Sequence, residues 1–166
     1  NHSQNTENLY WGRHRLDGRL ARFLYDRTSG HGRFEGHVEN SPFFWGDVCR
    51  ERTRYMRGFI VRDIDTLAAN PSMPYHDPRR PFVNAWYSAS DGEDVATFTA
   101  LLSDGSQSRL ERQGGCCLVY THLGKGFADD LRAGGEWGRR LRRLAARDGW
   151  FAPASEILDF LRSRRA

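Results

Sequence analysis

Among the residues of this sequence able to do chemistry, His122 has the most telling position. It closes the segment Gly114-Gly115-Cys116-Cys117-Leu118-Val119-Tyr120-Thr121-His122, and Leu123-Gly124-Lys125-Gly126-Phe127 follows at once. A continuous apolar run such as Cys116 to Tyr120 predicts a strand buried on both faces, as parallel strands are. In parallel α/β folds, ligands and catalytic groups gather beyond the C-terminal ends of the strands. A histidine placed there titrates near neutrality and can serve as a general acid or base. The plainer alternative is a strand-end histidine bonded to a loop carbonyl.

Other candidates are weaker. Tyr75, His76, Asp77 and Trp86 lie in or just after the proline-rich stretch Asn70 to Pro81. Aromatic faces stack on pyranose rings, so Tyr75 and Trp86 are candidates to line a sugar cleft. The alternative is a loop packed by its own aromatics. His31 and His37 flank a glycine-rich loop but lack a neighbouring third ligand for a metal. Cys49, Cys116 and Cys117 are odd in number and without zinc spacing. Adjacent cysteines rarely bridge each other, so the pair reads as small buried side chains. No Walker loop, dinucleotide glycine fingerprint, nucleophile elbow or zincin helix is present.

The elements that must position these residues follow from apolar spacing. Leu16, Leu20, Phe23 and Leu24 mark a helix, and Asp47 caps a second one with Val48, Arg52 (by its stem), Tyr55 and Met56 on its inner side. Phe59-Ile60-Val61 predicts a short strand, and Phe82 to Tyr87 another. Val95, Phe98, Leu101 and Leu102 make a third helical stripe, and Ser106 caps a helix that stops at Gly114-Gly115. Trp137, Leu141, Leu144 and Ala145 form the next helix; Trp150-Phe151 begins a short strand, and Ser155 caps the last helix. The alternation predicts an α/β architecture with a mostly parallel sheet. A chain of 166 residues suits a single domain spanning 1–166.

The net charge of +4 raises the question of nucleic acid, but Lys125 is the only lysine and the arginines are interleaved with acids, as in Arg50-Glu51-Arg52. Solvated helix faces are the expected reading, and nucleic-acid binding would need a steep salt dependence. No apolar run has the roughly 18–20 residues of a membrane helix.

Several elements in order now carry a resemblance. Tyr120-Thr121-His122, the helix Leu141 to Asp148, then Gly149-Trp150-Phe151-Ala152-Pro153 and the helix Ser155 to Leu161 resemble the C-terminal end of polysaccharide deacetylases of the NodB type. The resemblance implies a partial or distorted (β/α) barrel and metal-dependent hydrolysis of acetyl groups on a carbohydrate. It gives His122 the role of general acid toward the leaving amine. Arg79-Arg80-Pro81-Phe82 fits the family's R-x-P-[FY] pattern, in which Arg79 would orient a catalytic aspartate. Asn1-His2-Ser3-Gln4-Asn5-Thr6 is similar to the start of its histidine motif, which makes His2 a ligand to a divalent metal, zinc in most of the family. Thr6 stands where a second histidine is expected, and the family's Asp-Asp strand has no counterpart.

A full (β/α)8 barrel takes about 250 residues, and the sequence opens at Asn1 without a methionine or signal segment. The expectation is therefore the C-terminal portion of such a domain, with sheet edges able to associate. Members of the family are often extracytoplasmic. The rival expectation is a non-catalytic carbohydrate-binding or scaffold protein that keeps the fold and has lost the metal site. For substrate contacts, Tyr75, Trp86 and Tyr120 are the residues of choice.

Overall fold

Residues 5–12, 19–28 and 34–165 are described in a computed structural model of the chain. They fall into two units, one made of residues 1–56 and 76–85, the other of residues 57–75 and 86–166.

The first unit holds helices α1 (Arg19–Thr28) and α2 (Gly46–Arg52). The apolar stripe of α1 is exposed at Leu20, Phe23 and Leu24, while Leu16 lies outside the described residues. Trp45, not Asp47, is the N-cap of α2; Asp47 sits in the first turn, where its charge suits the helix dipole. The buried side of α2 is Gly46 and Cys49, and Val48 points outward. The reason is a close approach. A Cβ at Gly46 would come within 2.6 Å of the Phe82 ring, so the turn carrying Gly46 and Cys49 must face in. Leu9, Tyr10, Phe34 and Val83 complete this core. The Asn84 amide ties the end of α2 down by donating to the carbonyls of Arg50 (2.7 Å) and Thr53 (2.9 Å).

The second unit is built on an open, three-stranded parallel sheet in the order β1 (Met56–Val61), β2 (Trp86–Asp91), β3 (Val119–Tyr120). The α/β class with a parallel sheet expected from the sequence is thus present. β2 pairs with β3 at Ser90–Val119 and Asp91–Tyr120. Around the sheet lie α3 (Thr66–Ala69), α4 (Val95–Leu101), α5 (Asp104–Gln113), α6 (Phe127–Arg132), α7 (Glu136–Ala145) and α8 (Ala154–Ser163). Ile64, Phe98, Leu101, Leu102 and Phe127 form the core, with Trp137, Leu141 and Leu144 of α7 packed against it. Phe127 meets Phe98 and Trp137 edge-on at 5.5 and 5.3 Å, a favourable aromatic geometry.

Four local expectations are corrected. The strand predicted at Phe82 to Tyr87 lies at Trp86–Asp91, because Trp-Tyr-Ser-Ala-Ser-Asp buries its serines through hydrogen bonds. The run Cys116 to Tyr120 pairs over two residues only, at a sheet edge, and Val119 is 40% exposed. Trp150 and Phe151 are exposed coil rather than strand. Caps also move: Ser103 rather than Ser106 caps α5, accepting from the Ser106 amide, and Pro153 rather than Ser155 precedes α8. The stop at Gly114 is as expected, in the left-handed conformation at φ 59° that glycine adopts without strain.

The buried polar groups of the sheet form one network. Thr66, fully buried at the start of α3, shares a hydrogen bond with Ser90 of β2 at 2.6 Å. It also accepts from the Leu118 amide at 3.0 Å. Asn70 donates to Ser88 at 2.9 Å, and Asp65 accepts from the amides of Ala68 (2.9 Å) and Cys116 (3.3 Å). α3 is therefore stitched to both β2 and the chain entering β3. Three of the four arginines of α7 are matched by carboxylates: Arg139 and Arg140 by Glu136, Arg140 and Arg143 by Asp104. Arg147, just beyond the helix, pairs with Glu111.

Replacing Thr66 with valine leaves the Leu118 amide and the Ser90 hydroxyl short of a partner in a buried setting, at a cost of roughly 1–3 kcal/mol. Urea denaturation followed by circular dichroism should show that loss in Thr66→Val and a smaller one in Thr66→Ser. Equal midpoints for parent and Thr66→Val would contradict the network's role.

Candidate functional site

The C-terminal end of β3 is placed by its neighbour. Ser90 N–H donates to the Leu118 carbonyl at 2.7 Å and Gly92 N–H to that of Tyr120 at 3.0 Å. Gly92 is required there, since a Cβ would come within 2.9 Å of Phe98 and Val119 and 3.1 Å of the Tyr120 oxygen. Beyond the strand, His122 N–H donates to the Glu93 carbonyl (3.0 Å) and Lys125 N–H to that of His122 (2.9 Å). Lys125 Nζ also pairs with the Glu93 carboxylate. That hydrogen bond and the ammonium charge hold Glu93 below the usual carboxylate range and raise Lys125 in return.

Two side chains picked from the sequence come together here. The Tyr120 hydroxyl is hydrogen-bonded to His122 Nε2, and the rings meet edge-on with centroids 4.9 Å apart. A third residue, not singled out in the sequence, joins them: the Arg57 guanidinium lies 3.6 Å over the Tyr120 ring. Arg57 is the second residue of β1, and the only signal for it was an arginine inside an otherwise apolar strand. Cation–π contacts of this kind contribute about 0.5–2 kcal/mol, more as the pair is desolvated.

Beside this trio is a cavity of about 430 Å³ whose lining includes Arg57, Tyr87, Cys117, Tyr120, Thr121 and Ile157. Burial raises the Tyr87 phenol, against the opposing charge of Arg57. Burial likewise pushes the Cys117 thiol up to about 11, despite hydrogen bonds with Ser90 and Thr66, and Cys116 is raised to about 11 as well. Both thiols stay protonated at neutral pH, so neither is an activated nucleophile. All three cysteines are free; Cys49 is buried and the adjacent pair is half-buried.

The remaining sequence candidates stand elsewhere. Tyr75 and Trp86 exchange backbone hydrogen bonds at 3.1 and 2.8 Å. Trp86 is 4% exposed and its indole covers Gly58, so the ring packs the sheet. Arg79 belongs to the first unit, where its main-chain N–H (3.0 Å) and Nε (3.1 Å) donate to Asp77. Arg80 donates to the same carboxylate at 2.5 Å. Burial would raise Asp77, but these bonds and the two guanidinium charges outweigh it and hold the group below its ordinary value. His37 accepts from the Tyr10 amide at 3.2 Å through Nδ1. His2 and His31 lie outside the described residues.

Comparison with known proteins gives no significant match to any protein-family model, curated protein or solved structure. Among the described residues, no group of three or more His, Cys, Asp or Glu side chains is arranged to hold a metal ion. No helix among them is long and apolar enough to cross a membrane.

The Asp77 clamp makes a pH-dependent prediction. A depressed carboxylate contributes its full stabilisation above the unfolded value of about 3.9 and loses it as pH falls through the lower folded value. Arg80→Met lets the folded value rise, so acid unfolding of the variant should begin at higher pH than in the parent. At neutral pH the variant should be less stable by about 1–3 kcal/mol. Tryptophan fluorescence between pH 7 and 2 reads the first effect and urea titration the second; superimposable curves for both proteins would refute the clamp.

Proposed function

We propose that this chain is the C-terminal portion of a polysaccharide-deacetylase-like domain, its sheet part of a distorted (β/α) barrel, acting on acetyl groups of a carbohydrate. The observation that supports this reading is the Tyr120–His122 pair at the C-terminal end of a parallel strand, next to an open cavity. In such a reaction the imidazolium of His122 donates its proton to the departing amine, a step typically worth 10²–10⁴ in rate. The Tyr120 hydroxyl fixes the ring while this happens. It can donate to a neutral Nε2 or accept from a protonated one, so it serves both states of the acid. Arg57 holds the Tyr120 ring from the other side. The zinc that the resemblance implies would polarise the acetyl carbonyl and activate water. The described residues do not supply its ligand set, and no step here passes through it.

A specific observation favours a second reading, carbohydrate binding without hydrolysis. The cavity wall carries a guanidinium, two phenols and a hydroxyl but no carboxylate.

The test is acetate release from N-acetylated chitooligosaccharides and from acetylated xylan, with and without added zinc. On the catalytic reading the parent releases acetate and His122→Ala loses at least a hundredfold. No release by the parent under any condition sinks that reading. Saturable binding of the intact oligosaccharide, lost in Tyr120→Ala, then supports the second.

A further inference from the structure

The cavity holds two groups that its own walls leave unanswered. Among the described residues Arg57 has no ion pair and no side-chain hydrogen bond; the Tyr120 ring covers a face of its guanidinium and the Tyr87 phenol feels its charge, which leaves its N–H edge open to a ligand. Thr121 Oγ1, on the same lining, is buried and has no hydrogen-bond partner among the described residues. Buried polar atoms are nearly always satisfied, and a partly desolvated cation is costly when nothing opposes it. Asp63 is committed to Arg109 at 2.9 Å and Glu93 to Lys125, and the cavity lining itself carries no carboxylate. α8 starts at the same wall. Ala154, its first residue, lines the cavity, and no side chain caps the helix, although Glu156 in the first turn offsets part of the positive potential of its amides.

A planar guanidinium with a free edge matches a carboxylate through two parallel hydrogen bonds. The hydroxyls of Tyr87 and Thr121 add neutral donors and acceptors around it. At about 430 Å³ the space lies in the lower part of the roughly 300–1,000 Å³ range of small-molecule clefts, room for one sugar unit rather than an extended chain.

We propose that this cavity binds an acidic sugar, with the carboxylate of a uronic-acid unit held by Arg57 and Thr121. The proposal rests on the carbohydrate reading for its ligand class, but not on hydrolysis.

Binding of glucuronate, glucose, acetate and inorganic phosphate to the full chain is measured by calorimetry and by heteronuclear NMR. Glucuronate should bind at least tenfold more tightly than glucose, with affinity falling as NaCl rises. Arg57→Gln should lose at least tenfold and Thr121→Val should weaken binding, while Arg57→Lys, which keeps charge without the fork, should fall between parent and Arg57→Gln. Circular dichroism of each variant separates this from misfolding; Arg57→Lys carries the test if Arg57→Gln does not fold. Equal affinity for glucose and glucuronate would overturn the proposal, as would phosphate or acetate binding as tightly as glucuronate. Unchanged glucuronate affinity in Arg57→Gln would do the same. Because acetate release from neutral oligosaccharides is a separate readout, glucuronate failure with acetate release intact rejects this site and leaves the proposed function standing.

Discussion

The hydroxyl of Thr66 is the point on which the second unit depends. It joins the segment after β1 to β2 through Ser90 and to β3 through the Leu118 amide. A buried sheet usually coheres through apolar packing on both faces. Here the middle strand presents Ser88 and Ser90 inward, and they are satisfied by Asn70, which caps the end of α3, and by Thr66 within it. Such a network specifies register more sharply than oil-like packing would, because a one-residue slip of β3 would strand the Leu118 amide and move Tyr120 to the opposite face. The positions of Tyr120, Thr121 and His122 are consequences of that register.

This accounts for what was and was not legible in the sequence. Helices with an apolar stripe, α4 and α7 above all, were readable because periodicity reports burial directly. The strand before His122 was found because its residues are apolar, yet its pairing was overestimated: Leu118 already gives its amide to Thr66, so only Val119 and Tyr120 are left as strand. β2 was misplaced for the converse reason. Its serines look like loop residues to any pattern that counts apolar side chains, and only their hydrogen-bond partners, distant in sequence, reveal that they are core. The inward face of α2 was set by the closeness of Phe82 to Gly46, a tertiary contact that no spacing within the helix discloses.

The site follows the same division. Tyr120 and His122 were each legible, because both stand at the end of an apolar run, but their hydrogen bond to each other was not. Arg57 was not, since its meaning comes from a phenol on another strand. An arginine within Met-Arg-Gly-Phe-Ile-Val is an inconsistency between local pattern and global fold, and such inconsistencies concentrate at functional or strained positions. Its charge lies over an aromatic face and beside a cavity rather than in bulk water.

Catalysis and binding make different demands on these atoms, and the carboxylates separate them. On the catalytic reading, His122 as acid would complete a hydrolytic site only with a base poised near neutrality. Glu93, whose carbonyl accepts from the His122 amide, is lowered by Lys125. A depressed carboxylate is a weak base and a good fixed charge. Around the cavity, then, Arg57 is able to hold an anion, while the carboxylate of Glu93, whose carbonyl binds His122, is restrained from taking a proton. A ligand that brings its own carboxylate fits this imbalance, because it would answer Arg57 without competing with any acid of the protein.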